Sequence, residues 1–265
     1  MSTEEKQNFP IYQDFESAEY PRNEKEVSSF IKKFYKLNTP IELVGSGSKK
    51  TIGKRLQCGK TLNLSKITGI IEYLPEELYI KVKANTPIKK IEEELKKKNQ
   101  QLAFEPIDFG CLLNGNSNYG TAAGQVACNI AGPRRFKVGS VRDHLLGFRG
   151  VNGRGEIIKS GGVVVKNVTG YDLCKLLAGS WGTLGIMTEI TLKVLPAPES
   201  TRTILVACDN SPEAVLVLTN ALASPHDISG AAWVPKTAAA RSSVNYVSDI
   251  GAGIAAIRIE GFRSS

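Results

Sequence analysis

Histidine is nearly absent from this 265-residue chain, which has two, His144 and His226. A metal centre built on imidazoles therefore lacks its ligands. Cysteine is sparse and scattered, at positions 58, 111, 128, 174 and 208, with no C-x-x-C pair. The grouped thiolates that hold an iron–sulfur cluster are missing. The five thiols read instead as reduced, mostly buried cysteines of a cytosolic protein. Long apolar runs are missing too, and none approaches the roughly 20 residues of a membrane-spanning helix. The opening MSTEEKQNFP is polar and has no signal-peptide core, so a cytoplasmic location is expected. No basic stripe is interleaved with aromatics, which argues against a nucleic-acid partner.

The chain is long enough for one large or two modest domains with ample core. Lys and Arg outnumber Asp and Glu by 34 to 26, a formal net charge of +8. Part of that charge lies in KKIEEELKKKN (89–99), where Glu92–Lys96, Glu93–Lys97 and Glu94–Lys98 stand four apart. Such a solvated helix face gains about 0.3 kcal/mol per pair. The remaining excess suits an anionic substrate or an anionic membrane surface.

The stretch around which the chain is organised runs from Gly161 to Pro196 and reads as strand end, loop, helix, glycine-rich turn and strand. Leu173, Leu176 and Leu177 give a helix over 171–178 one apolar face. Three glycines in 179–185 break that helix where the backbone needs φ > 0 or a tight approach. Ile190, Leu192 and Val194 then alternate with Glu189, Thr191 and Lys193 as a half-buried strand.

In chain order, residues up to about Arg22 read as a loose tail. Val27, Phe30, Ile31, Phe34 and Tyr35 recur at helical spacing over 24–37. A short strand, Ile41 to Val44, opens into Gly45-Ser46-Gly47-Ser48-Lys49-Lys50. That loop offers amides and hydroxyls to an anion, or is a plain surface turn. It matches neither the P-loop pattern nor the Rossmann G-x-G-x-x-G. Strands follow at 62–64, 70–74 and 78–84, an amphipathic helix begins at Pro87, and 101–105 reads as a strand. Residues 106–120 read as a loop. The helix after it, 121–127, is so small-sided that it either lies against a cofactor or packs tightly on a sheet. Arg134 and Arg135 sit at a turn as surface or structural cations, or as partners of a carboxylate or phosphate. Residues 141–151 and 156–160 form a hairpin holding His144, which reads as packed or exposed. After Pro198 a second α+β unit begins, with a strand at 203–207, a helix at 212–223 and a strand at 253–260.

Four segments together carry a resemblance: VGSGSKKTIG (44–53), QLAFEPIDFG (101–110), GTAAGQVACNIAGPRRFKVGSVRDHLLGFRGVNGRGE (120–156) and the 161–196 stretch. The chain resembles the FAD-binding E subunit of bacterial glycolate oxidase, within the vanillyl-alcohol-oxidase (PCMH) type of flavoprotein. The resemblance is specific from about Leu37 to Pro196 and weaker beyond, through DISGAAW (227–233) and IRIEG (257–261).

It implies an α+β chain with a two-subdomain PCMH-type FAD-binding fold over 23–198, divided near residue 105, after the 1–22 tail. An incomplete α+β cap over 199–265 follows. By position, Gly45, Ser46, Gly47, Ser48 and Lys49 match the pyrophosphate loop, and Thr121, Ala123 and Gly124 a second diphosphate segment. Gly182, Gly185 and Ile186 match the turn near the ribose and ring, and Lys166, Asn167, Gly170 and Tyr171 the segment beside the isoalloxazine. Arg134 and Arg135 are candidate substrate cations. Two departures stand out: Ala123-Gly124 replaces the usual Gly-Gly, and His144 replaces an aromatic or aliphatic residue.

The implied function is flavin-dependent oxidation of glycolate or D-lactate to the 2-oxo acid. FAD is held non-covalently, because Ser48 stands where covalent members carry histidine. Implied partners are a second FAD-binding subunit and an iron–sulfur subunit, with a peripheral position on the inner face of the membrane through that complex. Because no general base is evident, a non-catalytic assembly subunit is an alternative, as is a stand-alone oxidase that reduces oxygen.

Overall fold

The computed structural model describes residues 18–54, 56–113, 120–162 and 171–262. The first unit opens with β1 (Ala18–Glu19), α1 (Glu24–Lys36), β2 (Ile41–Val44) and β3 (Lys60–Asn63). The strands form a parallel sheet in the order β1-β3-β2. Residues 18 and 19 thus leave the expected tail and pair with Thr61 and Leu62. Asn23 caps α1 by accepting from the Glu26 amide. Val27, Ile31 and Phe34 are buried while Tyr35 is exposed. Each such burial stabilises by roughly 1.5–3 kcal/mol.

β4 (Ile70–Leu74), β5 (Tyr79–Lys83), α2 (Ile88–Lys96), β6 (Gln100–Gln101), α3 (Gly110–Leu113), α4 (Ala122–Cys128), α5 (Arg135–Val138) and α6 (Val141–His144) follow. Then come β7 (Leu145–Asn152), β8 (Ile157–Gly161), α7 (Leu173–Leu177), β9 (Gly185–Lys193) and β10 (Leu195–Pro196). An antiparallel sheet runs β4-β5-β9-β7-β8. Its strands straddle residue 105, so a boundary there does not separate the two sheets. β5 pairs with β9 along Tyr79↔Lys193 to Lys83↔Glu189, joining segments more than 100 residues apart.

Several local expectations shift. The strand over 101–105 shrinks to Gln100–Gln101, paired with β10, because the chain turns at Glu105 with φ +51°. The 106–120 loop contains the short helix α3. Residues 141–144 are helical because Ser140 and Asp143 form a reciprocal cap. Leu176 is exposed, and Cys174 with Leu177 makes the buried face of α7. On β9, Thr191 is buried along with Ile190 and Leu192, since a central strand is covered on both faces. On α2, Lys97 pairs with Glu94 three residues back, at 2.6 Å.

One core lies between the five-stranded sheet and α2, α4, α6 and α7, with Ile80, Ile91, Leu95, Phe104 and Ile190 fully buried. A second joins α1 to β3 and the sheet end through Val27, Ile31, Leu62, Val151 and Ile186. Ala123 packs against both, which places α4 at their junction.

The C-terminal unit is β11 (Ser200–Cys208), α8 (Ser211–Leu222), β12 (Ile228–Val234), α9 (Lys236–Ala239), α10 (Asn245–Ser248) and β13 (Gly253–Gly261). β13 is the centre of an antiparallel sheet ordered β11-β13-β12. The strand β12, within DISGAAW, has a bulge between Ile228 and Gly230 and lacks clean alternation. Asn210 caps α8, whose small residue Ala214 packs under Ala255 of β13.

Candidate functional site

A cavity of about 530 Å³ opens where the two cores meet. One wall is the loop from β2, residues 45–50; a second is Thr121, Ala123, Gly124, Ala127 and Cys128 of α4; a third is the turn Trp181, Gly182, Thr183 and Gly185. Parallel pairing of β2 with β3 aims the first loop at the cavity. Gly47 has φ +76°, a conformation that glycine adopts without strain. Among the described residues, the amides of Gly47, Ser48 and Lys49 find no backbone carbonyl to donate to. All three residues line the cavity, so their amides are candidate donors to an anion. A Cβ at Gly45 would stand 2.8 Å from Asn85 Oδ1, so a larger residue would displace that side chain where the loop meets the β5 end.

Lys49, Lys50, Lys54 and Lys60 line the cavity beside one acid, Glu42. Glu42 is paired with Lys50 at 3.2 Å and accepts from Thr61 Oγ1, leaving the wall cationic. Lys49 Nζ lies 3.5 Å from the buried Ser48 hydroxyl. Burial pushes the Cys128 thiol above its usual range, opposed by Lys49, so it stays protonated at neutral pH.

α4 supplies surface rather than amides. Its first N–H groups are already used: Ala122 donates to Thr86 O, Ala123 to Ala84 O, Gly124 to Thr121 Oγ1 and Gln125 to Thr121 O. Helix and sheet therefore pack tightly, and the small side chains of the same helix also form the cavity wall. The Gly182 turn docks on α4 through Trp181 N to Ala127 O at 2.8 Å and Gly179 N to Val126 O at 3.1 Å. Gly182 has φ +77°, and a Cβ there would stand 3.0 Å from Leu43.

Ten candidates from the sequence thus meet in one place: Gly45, Ser46, Gly47, Ser48, Lys49, Thr121, Ala123, Gly124, Gly182 and Gly185. Ile186 does not, since its side chain lies in the second core. Tyr171 is 92% exposed and lines no wall of the cavity. Lys166, Asn167 and Gly170 lie outside the described residues. Arg134 is buried in ion pairs with Glu260 and Glu105, which removes it as a substrate cation. Arg135 is exposed and lines no wall of the cavity. Asn85, Trp181 and Met187 line it without having been anticipated. Asn85 follows a strand end, the one signal that could have marked it.

The acid–base candidates are occupied or remote. Glu105 accepts both Arg258 Nη groups and the Arg134 amide. His226 is exposed. His144 is 2% exposed, contacts Val138 O at 3.0 Å and meets the Phe104 ring edge-on at 5.5 Å. Burial pushes its pKa down, partly offset by the Val138 carbonyl. A base depressed on folding contributes stability above its unfolded pKa, about 6.5, and loses it as pH falls below. Melting at pH 7.5 and 5.5 should show a drop that His144→Leu narrows; an unchanged drop would assign the acid sensitivity elsewhere. Among the described residues no group of three or more His, Cys, Asp or Glu could hold a metal.

Two sheets, a junction cavity with a glycine-rich amide loop, and a cationic wall define a binding unit for a phosphate-bearing organic cofactor. The chain matches the FAD binding domain family over residues 18–161, and it belongs to that family. It is 44% identical over 162 residues to glycolate oxidase subunit GlcE of Escherichia coli, covering 61% of this chain and 44% of that one. It is 31% identical over 217 residues to glycolate oxidase subunit GlcD of Bacillus subtilis, covering 81% and 44%. To D-lactate dehydrogenase of Anaerostipes hadrus it is 34% identical over 152 residues, covering 57% and 30%. The matches therefore span less than half the length of these relatives. Among solved structures, alkyldihydroxyacetonephosphate synthase shares the fold, with a TM-score of 0.74 at 18% identity, over 93% of this chain and 47% of that one.

Proposed function

We propose that this chain is the FAD-carrying part of a subunit that supports oxidation of a 2-hydroxy acid, glycolate or D-lactate, to the 2-oxo acid. The observation that carries this reading is the meeting of three separate glycine-rich segments, 45–49, 121–124 and 182–185, on one cationic cavity. The amides of Gly47, Ser48 and Lys49 would take the diphosphate, the small face of α4 would lie along the cofactor, and the third segment would close on its ribose and ring side. Lys166, Asn167 and Gly170 are proposed for the flavin edge, within an FAD unit over 23–198 followed by a partial cap over 199–265. Bound there, FAD would supply the two-electron acceptor. Relatives named as two different glycolate oxidase subunits support partnership with a second flavin subunit; an iron–sulfur subunit and a cytoplasmic or peripheral inner-membrane position are part of the same proposal. No helix among the described residues is long and apolar enough to cross a membrane.

A second reading, an assembly subunit without catalytic flavin, is favoured by the engagement of Glu105 and the packing of His144. Flavin absorbance of the purified chain after FAD loading separates the two. Under the first reading the protein is yellow and acid precipitation releases all the colour. Colour retained in the washed pellet would overturn non-covalent binding, and a colourless loaded chain would favour the assembly reading.

A further inference from the structure

Four charges from both units close into one ring. Arg134 donates through Nε and Nη2 to both carboxylate oxygens of Glu260, at 2.9 and 2.6 Å. Arg258 donates through Nη1 and Nη2 to both oxygens of Glu105, at 2.7 and 2.9 Å. The ring closes through Arg134–Glu105 and Arg258–Glu260, each at 3.6 Å. Side-chain exposures of 8%, 10%, 20% and 23% for Arg134, Glu260, Glu105 and Arg258 put it largely out of water. Bidentate geometry and alternating sign offset the desolvation that makes isolated buried charges costly.

The ring joins parts that the chain itself joins loosely. Arg258 and Glu260 are two apart on β13, so they share the face opposite the one Ala255 presents to α8. The covalent link is the 196–199 segment, held at its start by Ala197 N to Asn99 O at 2.7 Å. A side contact, Lys137 to Asp227 at 2.7 Å, is well exposed and contributes little.

On its other side the ring reaches the cavity wall. The carboxylate of Glu105 also accepts the Arg134 amide at 2.7 Å. Gly132 N donates to the carbonyls of Phe104 and Glu105, and a Cβ at Gly132 would stand 2.6 Å from Glu105 Cβ. Gly132 follows the end of α4, whose Gln125 side chain holds Ile107 O at 2.8 Å. The 104–107 turn and α4 therefore form one packed piece, with α4 lining the cavity.

We propose that the Arg134–Glu260–Arg258–Glu105 ring is a latch that couples the position of the C-terminal sheet to the α4 wall of the cavity. Arg258 and Glu105 act as positioning residues, since neither lines the cavity itself. The coupling matters to cofactor binding on the FAD reading above, but the latch is a property of the flavin-free chain.

The test is amide hydrogen exchange on the full flavin-free chain, comparing wild type, R258E and R258K. R258E is expected to speed exchange at least tenfold in β13 and also in residues 101–107 and α4. R258K keeps the cation and the alternating sign but loses the bidentate fork, and is expected to stay within about threefold of wild type in both regions, given the ~1.4 kcal/mol per tenfold scale of such equilibria. Loosening of R258E confined to β13, no change in either region, or an R258K indistinguishable from R258E would each overturn the latch. If R258E does not fold, the milder R258M carries the comparison of β13 against α4 with the same expected and overturning results. Because no flavin is present, failure to bind FAD would sink the cofactor assignment without altering this outcome.

Discussion

Gly47→Val should yield a soluble chain that no longer retains FAD, with affinity lowered at least a hundredfold, or about 2.7 kcal/mol. Crowding is not the reason, because the nearest atom to a Cβ at Gly47 is Lys50 Cδ at 3.7 Å. The cause is the backbone. At φ +76° a β-branched residue is strained by roughly 1–3 kcal/mol. The loop relieves that strain by leaving the conformation that aims the Ser48 and Lys49 amides at the cavity. Gly53→Val is the control, since Gly53 has φ +87° in the same loop yet does not line the cavity. It should cost similar stability and spare much of the flavin. Unchanged flavin in soluble Gly47→Val protein would show that the loop is a surface turn.

The isolated chain is expected to reduce an artificial dye negligibly with glycolate or D-lactate. Turnover should appear only when a second flavin subunit and an iron–sulfur subunit are added. His144 is packed, His226 is exposed and lines no wall of the cavity, and the charged pairs of the latch are engaged with each other. The five cysteines carry no C-x-x-C pair of the kind that groups thiolates for a cluster. The surface points the same way. α8 carries no charge beyond Glu213 and leaves Val215, Leu216 and Leu222 about half exposed or more, beside the half-exposed Ile204 on β11. Apolar patches of this kind are commonly covered in assemblies. The strand at 253–260 is itself covered, because β11 and β12 flank β13 and Ile254 is fully buried. Robust dye reduction by the pure monomeric chain would overturn the dependence on partners.

The sequence by itself determined the elements whose signals are local. α1 and α2 followed from apolar spacing, β2 from its run into glycine and serine, and the 179–185 turn from glycines that now show positive φ at 179 and 182. Those same signals marked the 45–50 loop and the 179–185 turn, because a loop that must bend sharply or approach a ligand closely selects glycine wherever it lies; the resemblance, matched by position, supplied the ten residues that meet at the cavity. Tertiary structure decided what depends on partners distant in sequence. That β4 and β5 join β7 to β9 in one sheet is a matter of hydrogen bonding across more than 100 residues, which no window of sequence contains. That the α4 amides are already used depends on carbonyls at residues 84 and 86. From the sequence, Arg134 is first a surface or structural cation, with an anion-ligand role as the lesser alternative. Only the arrival of Glu260, 126 residues later, settled it, since a guanidinium's role is set by which carboxylate the fold brings within reach.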